Sequence, residues 1–454
     1  MKITPATPLN VLLAFAPAHT IPVGRLALDR TRAASALEYG PAFLASGLTI
    51  NPRWPTPGRE LVWAAEPRLF DGLHGVFADS LPDAWGRELM RRRAIASGMN
   101  PSALTALDRL AIVGHRGMGA LIYEPAVPHI DLSDGIDLDQ LSREAFDLLA
   151  GIGSDASTTT LEQLGESSGG ARPKILVAID ADGNVRPGVD AMPAGYRAWI
   201  VKFRAPRDRA DVGPLEAAYA DMARAAGIDV TPTTLLSSGR GGFGYFATQR
   251  FDRGENGERL HALSVAGLLE TPWEIPTIDY SGLMSATRVV TRNQADVERV
   301  FRRMVFNVIA HNRDDHAKQH AFLMDRTGTW RLAPAYDLNF SSGPGGEHFL
   351  PVNGRGNDIG FADVRAVAKR QSINAKAAAA IVDEVRSAVT EFRRFAERYD
   401  VPSRSRAEIA SVIDRHVAGF ASTTTTGGAA PKARSVTSPE GDTFRSSSLG
   451  PRDL

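Results

Sequence analysis

Short apolar runs separated by turn residues fill the first ~125 positions. V-L-L-A-F-A at 11–16 and V-G-R-L-A-L at 23–28 read as adjacent strands of a meander, with Gly, Pro and Asn turns between later segments. D-S-L-P-D-A-W-G-R-E-L-M-R-R-R (79–93) starts a helix that Ser80 or Asp83 can cap, and its last turn is basic, as the helix dipole favours. On this reading Asp79 and Asp83 are caps rather than ligands. G-M-G-A-L-I-Y-E (117–124) closes the unit as a strand, and 126–150 hold a connection and a helix.

From 151 the order of elements becomes informative. A Ser/Thr/Gly loop occupies 154–173, K-I-L-V-A-I-D a strand, A-D-G-N a turn and A-W-I-V-K-F a second strand. A helix follows, with Pro214 in its first turn, Tyr219, Met222 and Ala226 at helical spacing, and Gly227 as its stop. T-T-L-L-S-S and G-Y-F-A-T-Q-R-F add strands of a small antiparallel sheet. Beyond ~260 the pattern is helical almost to 420, apart from a Gly-rich loop at 342–359. The last segment, 421–454, is more than half Gly, Pro, Ser and Thr and is expected to be disordered. No internal repeat is present.

Composition narrows the chemistry. The 454 residues carry 52 Lys+Arg against 52 Asp+Glu, so the chain is not expected to coat nucleic acid by itself. Cysteine is absent, which excludes disulfides, Cys-type zinc sites, iron–sulfur clusters and a cysteine nucleophile. No apolar stretch approaches the ~18 residues of a membrane span. The run at 11–16 is short for a signal peptide and lies between prolines, so the expected location is the cytoplasm.

A glycine loop, a strand, a strand bearing a lysine and a helix bearing a glutamate follow one another in the order of a protein-kinase N-lobe. Glycines let backbone N–H groups approach phosphates, a lysine brings a point charge to them, and a helix glutamate holds that lysine. Here those are Gly169, Gly170, Lys202 and Glu216. Taken singly, each reads as a turn, a solvated strand edge or an ordinary first-turn glutamate.

N-R-D-D-H-A-K-Q at 312–319 is the stronger signal. It follows the amphipathic F-R-R-M-V-F-N-V-I-A-H and places Gln319 five residues after Asp314, the spacing of H-R-D-x-x-x-x-N. W-R-L-A-P-A-Y-D-L-N then delivers Asp337 from a strand. A base, a second carboxylate and an amide suit phosphoryl transfer with magnesium. Two other readings stand beside this one. His316 and His320, at i,i+4, offer zinc one helix face, although H-E-x-x-H is absent, or the segment is a polar loop whose histidines satisfy core hydrogen bonds.

The chain resembles the HipA family of serine/threonine kinases, toxins of type II toxin–antitoxin pairs. The resemblance is carried by F-A-D-S-L-P-D-A-W-G-R (77–87), S-S-G-G-A-R-P-K (167–174), W-I-V-K-F (199–203), Q-R-F-D-R (249–253), N-R-D-D-H-A-K-Q-H (312–320) and L-A-P-A-Y-D-L (332–338). It implies an α+β fold: an N-terminal β-rich subdomain (1–125), a small antiparallel-sheet lobe with the Gly-rich loop (126–255) and a larger helical lobe with the catalytic loop (256–420), before the tail.

The resemblance also implies roles. Asp314 is the catalytic base, and Gln319 and Asp337 are the magnesium ligands. Ser168, Gly169, Gly170, Ala171, Lys174, Lys202 and Lys318 bind the nucleotide, with Glu216 as the ion-pair support of Lys202. Gln249 and Phe251 belong to the hinge at the adenine, and Ser167 is the autophosphorylated serine. ATP and Mg2+ are the implied cofactors. The implied partners are a small helix-turn-helix antitoxin, through which DNA is met only indirectly, and a protein substrate from the translation machinery, of the aminoacyl-tRNA synthetase class. The family usually has Asn where this chain has Gln319, and the extra methylene displaces the amide by about 1.5 Å, which matters for an ion that demands ligands at about 2.0–2.1 Å.

Two other functions stay open at the level of sequence: a weakened kinase acting mainly as scaffold and co-repressor with its antitoxin, and a zinc hydrolase built on His316 and His320.

Overall fold

Alternation of apolar and polar positions builds the first sheet. β1 (Leu9–Ala16) buries Leu9, Val11 and Leu13 and pairs antiparallel with β2 (His19–Asp29) on one side and β5 (Leu121–Glu124) on the other. β3 (Ala34–Tyr39) and β4 (Val62–Trp63) extend it, giving the order β4-β3-β2-β1-β5. A computed structural model of the protein describes residues 8–66, 68–127, 136–152, 159–165, 170–188 and 192–420. The 421–454 tail, expected to be disordered, lies outside the described residues.

The second sheet holds β6 (Lys174–Ile179), β7 (Val185–Pro187), β8 (Arg197–Lys202), β9 (Thr233–Leu236) and β10 (Tyr245–Gln249), in the order β7-β6-β8-β10-β9 with antiparallel pairing. The helix Val212–Ala225 follows β8 and carries Glu216. Beyond this sheet lie the helices Tyr280–Thr291, Gln294–Ile309, Phe361–Arg370, Ala375–Thr390, Phe392–Arg398 and Ser403–Gly419. The chain thus has the expected α+β architecture, a β-rich N-terminal unit with a small antiparallel sheet and a larger helical lobe.

Two expectations need correction. The region after 260 also contains β11 (His261–Ser264) and β12 (Ala321–Met324), which join β13 (Trp330–Leu332), part of the segment read as a strand, in an antiparallel sheet beside the 312–320 segment. β11 and β12 are almost wholly buried, so no period-2 alternation marks them. The segment read as a continuous Ser/Thr/Gly loop contains the helix Thr159–Gly165, whose Leu161 and Leu164 are buried under the small sheet. Their i,i+3 spacing on an apolar support outweighs the weak helix propensity of the threonines.

One large core runs from Val11, Leu13, Phe77 and Tyr123 in the first sheet to Phe301, Phe306 and Val385 in the helical lobe. A second, under the small sheet, joins Ile175, Val201 and Phe203 to Trp85 and Leu89. The helix Ala84–Ala96 therefore serves both, since Met90 belongs to the first core. Each such buried side chain contributes about 1.5–3 kcal/mol, which fixes this helix beside the small sheet.

Candidate functional site

Lys202 ends β8 and lies in register with Lys174, the first residue of β6. Its ammonium makes an ion pair with Glu216, from the helix Val212–Ala225, and lies 2.7 Å from Asp337 Oδ1. Burial opposes the lysine's charge, but the Asp337 and Glu216 carboxylates overcome this and hold it firmly protonated. Lys174 is also buried, and burial lowers it to about 8 against the pull of Asp337. Asp337 has a left-handed backbone, φ 56°, a conformation costly for a residue other than glycine. Burial raises its carboxyl, yet Lys202 and Lys174 together hold it far below the usual range.

The segment after the helix Gln294–Ile309 is held from below. Asn312 donates to Asn307 Oδ1 at 3.0 Å. Asp315 accepts from the Tyr280 hydroxyl at 2.7 Å and the Phe349 N–H at 2.9 Å, and pairs with His348 Nδ1 at 2.9 Å. Asp315 is fully buried while the Asp314 side chain is 44% exposed, so the two adjacent acids face opposite ways. The Gly-rich loop 342–359 thus supports the 312–320 segment through His348 and Phe349.

Asp314 faces the cleft, its Oδ1 3.8 Å from His316 Nε2. Burial, then the charge of Asp337, pushes its carboxyl up, against the opposing pull of His316 and Arg172. Gln319 donates from Nε2 to Asp337 Oδ2 at 2.9 Å, and Tyr336 donates to the Lys318 carbonyl at 2.6 Å. His316 and His320 do not share a helix face, because the 3-10 turn Ala317–Gln319 separates them. His316 packs on Trp273 and Phe349, and His320 meets the Tyr280 ring.

The remaining predicted residues divide. Ser167, Ser168 and Gly169 lie outside the described residues. Gly170 has φ 90°, a backbone conformation that side-chain-bearing residues rarely adopt. Its N–H donates to Asp83 Oδ2 at 2.7 Å. Ala171 is exposed beside it. Gln249 pairs with Trp199 at the end of β10. Phe251 packs on Tyr336 with ring centroids 5.4 Å apart, between the small sheet and β12–β13. Arg250 and Arg253 pair with buried Asp252 and donate to the Gly117 carbonyl, tying the 249–253 segment to the N-terminal unit. Asp314, Gln319, Asp337, Lys202, Glu216, Lys174, Lys318 and Gly170 thus belong to one connected site.

Asp83 and Asp79 correct the reading as caps. Asp83 sits at the N-cap position of the helix Ala84–Ala96 but makes no cap hydrogen bond. Its Oδ1 lies 2.6 Å from Lys318 Nζ. Asp79 accepts from the N–H and hydroxyl of Ser264, far along the chain. The signal available was the motif 77–87 itself, which holds more acidic residues than one helix start can use.

Asp337, the Gln319 amide and neighbouring Asp314 make an all-oxygen set without sulfur, the chemistry magnesium takes from a protein that leaves other positions to water and phosphate. Among the described residues no cluster of three or more His, Cys, Asp or Glu side chains forms a closed metal cage.

A lysine paired to a helix glutamate in a small antiparallel sheet, facing two aspartates and an amide on a helical lobe, places the protein in the two-lobed kinase-like class of folds. The HipA N-terminal domain model matches residues 16–124 and the HipA-like C-terminal domain model residues 166–392. The chain belongs to the HipA family. Among solved structures it is similar to HipA of Shewanella oneidensis MR-1, determined in complex with HipB and operator DNA, with TM-score 0.64 at 15% identity over 90% of this chain and 95% of that one. The Helicobacter pylori proinflammatory kinase CtkA aligns at TM-score 0.35 and 11% identity over 54% of this chain and 93% of that one. A comparison with curated proteins gave no match. Among the described residues no helix is long and apolar enough to cross a membrane.

Proposed function

We propose that this HipA-family protein is an ATP-dependent serine/threonine protein kinase that arrests growth by phosphorylating a translation component of the aminoacyl-tRNA synthetase class. The observation that carries this reading is the convergence of Lys202, paired to Glu216, with Asp337, Gln319 and Asp314.

Asp314 accepts the proton of the substrate hydroxyl as its oxygen attacks the γ-phosphorus. The bond from that phosphorus to the bridging oxygen breaks, and ADP leaves with the electron pair. Lys202 and Lys174 neutralise phosphate charge, and Glu216 keeps Lys202 in place. Asp337 and Gln319 would hold Mg2+, which would shield the charge of the phosphates. Gln249 and Phe251 border the adenine.

Ser168, Gly169, Gly170 and Ala171 are assigned to nucleotide binding, and Ser167 is the autophosphorylation site. A small helix-turn-helix antitoxin is the partner, by analogy with the HipB of the Shewanella complex, and the protein acts in the cytoplasm.

Mass spectrometry of the purified chain with ATP and Mg2+, beside Asp314→Ala, tests the reading. Phosphate on Ser167 in the parent alone, with turnover in the variant down by about 10²–10⁴, is expected. A parent that binds ATP yet carries no phosphate would overturn the reading in favour of a co-repressor scaffold weakened by Gln319.

A further inference from the structure

The helix Ala84–Ala96 enters the site from the N-terminal unit. Asp83, immediately before it, directs both carboxylate oxygens away from the helix: Oδ1 to Lys318 Nζ, 2.6 Å away and 235 residues along the chain, and Oδ2 to the Gly170 N–H, 2.7 Å away and 87 residues along. Two residues later, the buried Trp85 indole N–H donates to the Lys174 carbonyl at 2.9 Å. The D-A-W triplet thus grips Gly170 and Lys174 of the glycine-rich tract and the catalytic loop at once.

Lys318 is held on every side. Its ammonium lies 5.4 Å from the Trp273 ring centroid, and its carbonyl accepts the Tyr336 hydroxyl. The next residue, Gln319, reaches Asp337. The side chains of Asp83 and Lys318 are only 15% and 18% exposed. A charge pair so far from water persists only where geometry and further hydrogen bonds compensate its desolvation. Removing the carboxylate strands the Lys318 charge and frees the turn that aims Gln319.

We propose that Asp83 is a positioning residue that spans the cleft, clasping the glycine-rich segment at Gly170 to the catalytic loop at Lys318, so that nucleotide affinity depends on a residue of the N-terminal unit. The affinity part rests on the kinase reading. The rival geometry makes the carboxylate a stand-in for phosphate on the same two donors, so that its loss tightens binding.

Asp83→Asn, Lys318→Gln and the double variant separate these, because Asn starts a helix as well as Asp does. Calorimetry with Mg2+ and a non-hydrolysable ATP analogue reads affinity, and hydrogen exchange of peptides covering 170–176 and 312–320 reads the clasp without any turnover. Each single variant is expected to weaken binding about tenfold, and the double variant no further than the weaker single one, as for residues acting through one contact. Exchange at 312–320 is expected to quicken in Asp83→Asn, with 9–39 unchanged. Tighter or unaltered binding in Asp83→Asn, additive losses, or unchanged exchange would each overturn the clasp. If the parent binds no nucleotide, the kinase reading fails and the exchange result alone decides: quickened exchange upholds the clasp, unchanged exchange removes it.

Discussion

Lys202 Nζ stands 2.7 Å from Asp337 Oδ1, although 135 residues separate them in the chain. The same ammonium pairs with Glu216, so one cation serves two carboxylates from different elements. The contact is where the small sheet and the helical lobe meet electrostatically, and the stability of the cleft depends on it.

Lys202→Ala leaves Glu216, itself 3% exposed, without its cation. Breaking a buried pair by removing one partner costs about 3–5 kcal/mol, and a loss of that order is expected in urea denaturation. Lys202→Met/Glu216→Gln removes both charges and is expected to be more stable than Lys202→Met alone. Equal stability of those two variants would mean that the pair contributes no net coupling.

The acid limb of the activity profile follows from the surroundings of Asp314. On the kinase reading Asp314 works as a base only when ionised, and burial together with Asp337 raises its carboxyl while Arg172 and the charged form of His316, itself disfavoured by burial, lower it. Activity is therefore expected to fall on acidification before an ordinary aspartate would protonate. Arg172→Gln removes a lowering charge that persists at every pH and moves the limb of kcat/KM to higher pH. A limb that stays put, with only its height changed, would show that Arg172 does not act on Asp314.

Gln319→Asn is expected to lower the Mg2+ concentration for half-maximal phosphorylation several-fold, with little change in melting temperature. The long amide of Gln319 turns its nitrogen to Asp337, whereas Asn ends one methylene earlier. A Mg2+ titration on the two proteins checks it, and identical curves would show that Gln fills the position as well.

Much of this site was legible in linear sequence because its parts sit in short motifs. W-I-V-K-F fixes Lys202 at a strand end, and N-R-D-D-H-A-K-Q fixes the offset of Asp314 from Gln319. β11 and β12 are buried and too short to show alternation, and the helix Thr159–Gly165 exists because two leucines find an apolar sheet to cover. Neither signal lies in local propensity.

The sequence by itself determined the α+β order of elements, the family, and the residue types available for chemistry, since periodicity, turn residues and motif spacing are local properties of the chain. The motif spacing singles out Asp314, but tertiary structure alone decided what turns its neighbour Asp315 away from the cleft, because Tyr280, His348 and Phe349 come from distant segments to claim it. It also turned Asp83 from an expected cap into a bridge between Gly170 and Lys318. The physical reason is the same in both cases: a carboxylate goes where buried donors need an acceptor, and packing, not sequence proximity, brings those donors within 3 Å.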